Sequence, residues 1–213
     1  MKDTTKHKGL RNKLVNELIE QGIESKNVLD AINSIPRHFF LDSSFEHLAY
    51  QNAAFPIGND QTISQPFTVA FQTELLNIQK GDIVLEIGTG SGYQSAVLCK
   101  LGAKVFTIER HAPLMRKAKL LFQKLNLRAN MRFGDGYKGW PEEAPFDKII
   151  VTCGAPQVPE ELKKQLRIGG IMVIPVGEHI QKMKCFIKKD KDKFEMIDFG
   201  DFKFVPMLRN KAK

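Results

Sequence analysis

Cysteine and long apolar runs are both scarce in this sequence, and each scarcity limits what the chain can be. Its 213 residues contain three cysteines, which stand far apart at Cys99, Cys153 and Cys185. An odd number without Cys-x-x-Cys spacing argues against a disulfide framework and a structural zinc site, and favours a reducing compartment. No run of about 18 apolar residues and no signal-like leader is found. We therefore expect a cytoplasmic protein that does not enter a membrane.

Histidine pairs are also lacking, whereas positive charge is in excess. His38, His47, His111 and His179 show no metal-ligand spacing, so we expect no metal. The formal charge of +8 indicates a positive surface that can attract anionic partners. Much of the excess lies near the two ends, in residues 2–8 and 209–213, and charged ends are typically solvated tails. No specific nucleic-acid partner is expected on this ground.

The hydrophobic pattern changes twice along the chain, which predicts one domain over residues 1–213 with three parts. Residues 1–80 hold apolar positions at helical spacing from 9 to 35, and then a loop rich in Pro, Gly, Asn, Asp and Ser over 55–66. Residues 81–177 alternate strand-like and helix-like runs, which is typical of a parallel sheet. Residues 178–213 contain only strand-like runs with short polar turns, which predicts an antiparallel ending.

The predicted elements follow from these patterns. Strands are predicted at 83–87, 104–108, 131–133, 148–152 and 171–175, and then at 184–188, 194–197 and 202–205. Helices are predicted from Pro66 to about residue 76, and at 93–101, 112–126 and 159–166.

A glycine-rich turn follows the first of the parallel strands. Residues 86–92 read Glu-Ile-Gly-Thr-Gly-Ser-Gly. Glycines let the backbone turn tightly and let a ligand approach the following helix N-terminus. A dinucleotide fingerprint would need its third glycine at position 93, which is Tyr93. The pattern Glu-x-Gly-x-Gly-x-Gly instead resembles the first motif of class I S-adenosylmethionine methyltransferases, and it weighs against a dehydrogenase.

Two further carboxylates end the next two predicted strands. Glu109 lies about 20 residues beyond the glycine turn, where a carboxylate can accept hydrogen bonds from ribose hydroxyls. Asp135 stands where such families place a residue near the adenine amino group. Either residue alone would suit a helix cap equally well. Together with Glu86 they favour S-adenosylmethionine as the cofactor and S-adenosylhomocysteine as its product.

The segment after the fourth parallel strand bears on the substrate. Residues 151–156 read Val-Thr-Cys-Gly-Ala-Pro, without the Pro-Pro and aromatic signature that holds a flipped nucleobase. Cytosine C5 enzymes need a nucleophilic cysteine in a Pro-Cys pair, whereas Cys153 follows Thr152. We expect Cys153 to be a small hydrophobic residue at a strand end.

Several blocks then resemble one family over nearly the whole chain. They are Ala-Tyr-Gln-Asn at 49–52, Gln-Thr-Ile-Ser-Gln-Pro at 61–66, the glycine motif, Gly-Asp-Gly at 134–136 and Phe-Val-Pro at 204–206. This set is similar to protein-L-isoaspartate O-methyltransferases, and the Thr-Ile-Ser-Gln-Pro block is its most specific part. The resemblance implies an α/β fold with a doubly wound, Rossmann-like methyltransferase sheet. The sheet would be mostly parallel with antiparallel C-terminal strands, next to N-terminal helices, and the order of its last strands stays open.

The resemblance also implies a reaction and a site. The family methylates the α-carboxylate of L-isoaspartyl and D-aspartyl residues in damaged proteins, which starts their repair, and we expect a monomer. Ser64 matches the active-site serine of the family, although a serine before Pro66 is by itself more typical of a turn or helix cap. The implied substrate contacts are Gln65 and Val205. The implied cofactor contacts are Thr62, Ile63, Glu86, Gly88, Thr89, Gly90, Ser91, Glu109, Asp135 and Gly136.

Two alternatives remain at this stage, together with three departures from the family pattern. The chain could be a class I methyltransferase for RNA or another carboxylate, which its charge would suit, or a binding module without chemistry. Asn52 stands where an aspartate is usual, Asp60 where a glycine is usual, and residues 207–209 replace the usual ending. These departures bear on substrate affinity more than on the reaction.

Overall fold

The computed structural model describes residues 2–212, which form nine strands and six α-helices. In chain order the elements are α1 (Thr5–Glu20), α2 (Lys26–Ser34), β1 (Phe55–Gly58), β2 (Gln61–Ile63), α3 (Pro66–Leu76), β3 (Ile83–Ile87), α4 (Tyr93–Lys100), β4 (Lys104–Glu109), α5 (Ala112–Lys124), β5 (Asn130–Phe133), β6 (Phe146–Val151), α6 (Glu160–Gln165), β7 (Leu166–Val176), β8 (Gln181–Lys188) and β9 (Phe194–Phe202). Short 3-10 turns cover Arg37–Phe40, Ser43–Leu48, Gly136–Lys138 and Pro141–Glu143. Among these residues, no helix is both long and apolar enough to cross a membrane.

Seven strands form one sheet in the order β5-β4-β3-β6-β7-β8-β9. The first five are parallel, and β8 and β9 are added antiparallel to their neighbours, so the predicted fold class is confirmed. The last two strands follow chain order at the sheet edge, which the sequence had left open. The five parallel strands direct their carboxyl ends to one rim, where ligands bind in open α/β sheets.

The separate strand predicted at 202–205 is wrong. Residue Phe202 ends β9, and the chain then leaves the sheet. There the Phe204 N–H donates to the side-chain oxygen of Gln181 (2.8 Å), and the Val205 carbonyl accepts from Gly154 N–H (2.8 Å). The apolar residues after Phe202 therefore belong to a loop that crosses the strand ends, and they do not form an additional strand.

Alternating side chains pack the two faces of the sheet into separate cores. In β3, Val84 joins one cluster and Leu85 the other, and in β7 the same holds for Val173 and Met172. Strands buried on both faces read as continuous apolar runs, which is why their sequence lacks polar alternation. The N-terminal helices form a third cluster that reaches the sheet through α4 and Phe122 of α5.

Residues 36–66 are more regular than the predicted loop. Strands β1 and β2 pair as an antiparallel hairpin, and residues of β2 lie beside the carboxyl ends of the parallel strands. Its two turn residues, Asn59 and Asp60, have φ values of 54° and 55°, as a type I′ turn requires. Asn and Asp tolerate this left-handed region better than other side chains. The sequence missed the hairpin because each strand is only three or four residues long.

Both ends are held by hydrogen bonds and are not free tails, although their lysine and arginine side chains within residues 2–212 are exposed to solvent as predicted. Thr4 caps α1, and both oxygens of Asp3 bind the Arg11 guanidinium at 3.0 and 3.1 Å. The C-terminal residues lie on the strand rim, where Asn210 N–H donates to the Asp135 carboxylate (2.9 Å). Each end finds hydrogen-bond partners that are distant in sequence, which composition does not reveal.

Candidate active site

A cleft of about 740 Å³ lies at the carboxyl ends of the parallel strands, between the hairpin and the C-terminal segment. Most of the predicted site residues line it, although they come from five separate parts of the chain. Those that line the cleft are Thr62, Ile63, Ser64, Gly88, Thr89, Gly90, Ser91, Glu109, Gly136 and Val205. Glu86, Asp135 and Gln65 do not line it.

The glycine turn connects β3 to α4 in a conformation that only glycine adopts readily. Gly88, Gly90 and Gly92 have φ values of 99°, 51° and 87°. A Cβ on Gly88 would stand 2.5 Å from the hydroxyl of Thr152 as well, so this position excludes a side chain twice over. The turn leaves backbone at the floor of the cleft and leads into the N-terminus of α4.

Glu109 fastens this turn to the second strand. Its carboxylate accepts the Gly90 N–H through one oxygen and the His111 N–H through the other, each at 2.8 Å. It therefore holds the glycine turn and the residue that precedes α5 at the same time. A carboxylate has about four acceptor positions, so two hydrogen bonds leave capacity for a diol in the cleft.

Glu86 lies behind the glycine turn and not in the cleft. Its side chain is completely buried, and one oxygen accepts a hydrogen bond from the Ser95 hydroxyl. Burial raises the pKa of Glu86 to about 8, against the hydrogen bonds from Ser95 and Thr107 and with help from the nearby Glu109 charge. Glu86 is thus outside the cleft lining, and it is a mostly protonated support behind the turn at neutral pH.

Asp135 also lies behind the cleft wall. One oxygen accepts the Tyr137 N–H and the other the Asn210 N–H, both at 2.9 Å. Its neighbour Gly136 lines the cleft instead, at a place where a Cβ would be 2.4 Å from the Ile87 side chain. The carboxylate therefore positions the backbone of the cleft wall through its two hydrogen bonds.

The C-terminal segment closes this side of the cleft. Met207 N–H donates to the Gly154 carbonyl (2.7 Å), and the Tyr137 hydroxyl donates to the Met207 carbonyl (3.2 Å). Further on, Arg110 Nε donates to the Asn210 carbonyl (3.2 Å), and Arg110 follows the cleft residue Glu109 directly. The segment thus crosses the ends of β6, β5 and β4 in turn.

Ser64 stands between β2 and the first turn of α3, and it lines the cleft together with the glycine turn. Its hydroxyl makes no hydrogen bond with any group in residues 2–212. The N-cap of α3 is Gln65, whose side chain does not cap the helix. The Asn52 side-chain oxygen performs that task by accepting the Phe67 N–H (2.9 Å). The cap interpretation of Ser64 is therefore wrong, and its hydroxyl is available in the cleft.

The hydrogen bonds of Asn52, a departure from the family pattern, and of Val205, an expected substrate contact, show what each residue does in this structure. Asparagine keeps the acceptor oxygen of aspartate toward Phe67, and its amide group additionally donates to Gln21 (2.8 Å). Val205 lines the cleft, but its carbonyl already accepts the Gly154 N–H. The Phe-Val-Pro segment is therefore held by the protein itself before any peptide binds.

Sequence reasoning missed several lining residues, among them Tyr93, Gln94, Arg110 and Thr152. Tyr93 and Gln94 come directly after the glycine motif, Arg110 comes after Glu109, and Thr152 ends a predicted strand. Only this proximity in sequence could have indicated them. Cys153 lines the cleft too, and burial raises the pKa of its thiol to about 12. A thiol held protonated at neutral pH is a poor nucleophile, as expected for a small hydrophobic residue.

Comparison with known proteins gives the same family from a family model and from individual relatives. A family model described as Protein-L-isoaspartate(D-aspartate) O-methyltransferase (PCMT) matches residues 9–212. Relatives named Protein-L-isoaspartate O-methyltransferase include one from Flavobacterium psychrophilum, 63% identical over 99% of this chain and 100% of its own. Another, from Christiangramia forsetii, is 58% identical over 99% of this chain and 100% of its own.

Two solved structures share the fold. One, a protein-L-isoaspartate O-methyltransferase, superposes with a TM-score of 0.86 at 31% identity, over 94% of this chain and 66% of that one. The other is a putative protein-L-isoaspartate O-methyltransferase from Plasmodium falciparum in complex with S-adenosyl-L-homocysteine. It superposes with a TM-score of 0.82 at 23% identity, over 93% of this chain and 98% of that one, which is a likeness of fold alone.

Proposed function

The chain belongs to the protein-L-isoaspartate(D-aspartate) O-methyltransferase family, and on that premise we propose how its cleft carries out the reaction. It is an S-adenosylmethionine-dependent enzyme that methylates the α-carboxylate of L-isoaspartyl and D-aspartyl residues in damaged proteins. The proposal concerns which residues bind, orient and shield the reactants.

No general base is needed in this reaction. A carboxyl group with a pKa near 4 is ionised at neutral pH, so its oxygen is already nucleophilic. When bound, S-adenosylmethionine supplies a methyl group on a sulfonium sulfur. The carboxylate oxygen would take this methyl group, and the electron pair of the C–S bond would stay on sulfur. The protein must therefore align the carboxylate and exclude water, because charge is neutralised toward the transition state.

Ser64 orients the carboxylate in this scheme. Its hydroxyl is a donor without a partner among the described residues, and Ser64 lines the cleft together with the glycine turn. One hydrogen bond to a carboxylate oxygen fixes the direction of the other oxygen without any proton transfer. This unengaged hydroxyl is the observation that carries the proposal. Val205, across the cleft, contacts the substrate through its side chain, since its carbonyl is engaged.

The residues at the strand rim fit the cofactor. The Glu109 carboxylate retains acceptor capacity for the ribose hydroxyls, and the glycine backbone of Gly88 and Gly90 leaves room beside it. Thr62 and Ile63 form the opposite wall. Glu86 and Asp135 act one layer behind, where they hold the glycine turn and the cleft wall in place.

We also propose that residues 1–213 form one domain, and that the enzyme is a cytoplasmic monomer. One seven-stranded sheet joins the second and third parts predicted from the sequence, because β3 to β7 and the final strands are hydrogen-bonded in a single array. The helices of the first part share an apolar cluster with α4, which follows β3. The three cysteines are free thiols, which suits a reducing compartment. Its partners are damaged proteins and peptides that contain isoaspartate.

A methyl-transfer assay with labelled cofactor tests the function. Two peptides of the same sequence, one with isoaspartate and one with aspartate, are compared at equal concentration. We expect label on the isoaspartyl peptide, as a base-labile ester, and background label on the other. Equal labelling of both peptides, or preferential labelling of RNA, would contradict the proposal.

A further inference from the structure

The largest excess of positive charge lies on one part of the sheet edge and not at the chain ends. Residues 110–134 contain seven Lys and Arg and no Asp or Glu, in a chain with a formal charge of +8. This segment holds α5 and the edge strand β5. Arg116, Lys117, Lys119 and Lys124 of α5 are exposed. Within residues 2–212 none of these four forms an ion pair.

An apolar groove runs along this basic helix. The 3-10 turn at Arg37–Phe40 and helix α5 form its walls, and its empty space is about 800 Å³. Phe39, Leu41, Leu114 and Leu121 contribute apolar surface, and Leu120 on the same lining is 59% exposed. The cations Lys117 and Lys124 belong to the lining as well. The groove therefore combines apolar walls with charge of one sign.

The groove is continuous with the active-site cleft. Gly90 and Ser91 of the glycine turn line both. Ile57 of β1 also lines the groove, and its side chain is 3.4 Å from the position that a Cβ on Gly90 would take. A polypeptide held in the cleft at Ser64 can therefore extend over the glycine turn and the hairpin into the groove.

We propose that the groove and the α5 lysines bind the segment of the protein substrate that flanks the damaged residue, and that they favour an acidic segment with an apolar side chain. This inference rests on the proposed function. An apolar side chain gains by burial in the groove, whereas carboxylates beside it meet cations that form no ion pair with any acidic residue between 2 and 212. The helix dipole explains Lys124 in the last turn of α5, but not Lys117 near its middle.

Peptide selectivity tests the inference. Three isoaspartyl peptides share one core: the core alone, the core with an extension of Glu and Leu, and the core with an extension of Lys and Leu. Each extension is placed on the N-terminal side in one series and on the C-terminal side in another. At low ionic strength we expect kcat/KM for the acidic peptide to exceed that for the basic one by about tenfold in one series. The ratio of the two kcat/KM values should approach one at about 1 M salt, because the Debye length is then roughly 3 Å.

Charge reversal locates the effect. The double variant Lys117→Glu/Lys124→Glu should prefer the basic peptide. Its matched control, Lys191→Glu/Lys193→Glu, makes the same charge change in the turn between β8 and β9 at the opposite edge of the sheet and should keep the wild-type order. The core peptide should be methylated equally by all three proteins. If the glutamate variant misfolds by circular dichroism, Lys117→Gln/Lys124→Gln should still abolish the preference.

Three outcomes would contradict the inference, and a fourth would contradict the proposed function. Equal kcat/KM for both extended peptides in both series, or an unchanged order in the Lys117/Lys124 variants, would overturn the inference. So would a loss of binding to a short single-stranded RNA in those variants without any change in peptide selectivity, because the face would then serve nucleic acid. Failure of every protein to methylate the core peptide would instead contradict the proposed function.

Discussion

At the scale of a single residue, the proposed mechanism depends on the Ser64 hydroxyl, which makes no hydrogen bond within residues 2–212. We expect Ser64→Ala to lower kcat by one to two orders of magnitude, roughly the value of one orienting hydrogen bond in a site that excludes water. The dissociation constant of S-adenosylhomocysteine should change little, because the role proposed for the hydroxyl is to orient the substrate carboxylate. Single-turnover methylation and calorimetry measure the two effects separately. An unchanged kcat would show that Ser64 is only structural.

Glu86 provides a second test at the residue scale, through the pH dependence of stability. Its pKa is about 8 in the folded protein, against an ordinary value of 4.5. Between pH 4.5 and pH 8 the folded state therefore binds more protons than the unfolded state. The contribution of Glu86 to the free energy of unfolding is complete below pH 4.5 and is lost as the pH rises toward 8. The loss is at most about 1.4 kcal/mol per pH unit.

Replacement by a neutral isostere should remove this loss. We expect Glu86→Gln to gain stability over the wild type progressively from pH 5 to pH 8.5 in urea titrations, because the amide can still accept from the Ser95 hydroxyl. Glu143→Gln, a change on an exposed side chain, should keep the wild-type pH dependence. A parallel pH profile for Glu86→Gln and the wild type would show that burial does not perturb this carboxyl.

The β1–β2 hairpin decides at the scale of an element where Ser64 stands. Asp60 adopts a φ of 55° in its turn, which a β-branched side chain tolerates poorly. We expect Asp60→Val to cost about 1–2 kcal/mol of stability and to lower kcat/KM, since the strand leading to Ser64 would shift. Asp60→Gly should stay within about 0.5 kcal/mol of the wild type, because relief of strain offsets the added freedom of the unfolded chain.

Urea unfolding and peptide kinetics on both variants check this prediction. Equal behaviour of the valine and glycine variants would mean that the turn does not constrain the site. The comparison also addresses the departure at Asp60, which the structure explains as a left-handed residue that aspartate can supply.

The docked C-terminus is a property of the whole molecule, since Asn210 N–H reaches Asp135 across 75 residues of sequence. Asn210 has a φ of 63°, so Asn210→Pro removes the donor and forbids the conformation, whereas Asn210→Gly keeps both. We expect the proline variant to bind S-adenosylhomocysteine about tenfold more weakly, because the cleft wall at Gly136 and Arg110 loses its support. The glycine variant should match the wild type.

Calorimetric titration of both variants measures these affinities. Equal affinity of the two proteins would show that the C-terminal segment lies beside the cofactor site without contributing to it. Circular dichroism ensures that any loss reflects the site and not unfolding.

The amino-acid sequence by itself determined the parallel core, the glycine turn and the position of Ser64 in the chain. These features depend on short-range chemistry: apolar runs of strand length, glycines at left-handed positions, and a motif that is contiguous in sequence. The substrate contact expected of Gln65 stays a prediction, because Gln65 is the N-cap of α3 and is not among the residues that line the cleft.

Only the tertiary structure decided the order of β8 and β9, the burial of Glu86 and the docking of residues 203–212 on the strand rim. Edge order depends on which neighbour offers free backbone hydrogen-bonding groups, and a pattern within one strand does not specify its neighbour. The carboxylates of Glu86 and Asp135 could accept hydrogen bonds equally well in the cleft or behind its wall. Only the packing of the folded chain places them behind the wall. Likewise, the basic helix α5 became a candidate binding surface once the fold placed an apolar groove beside it.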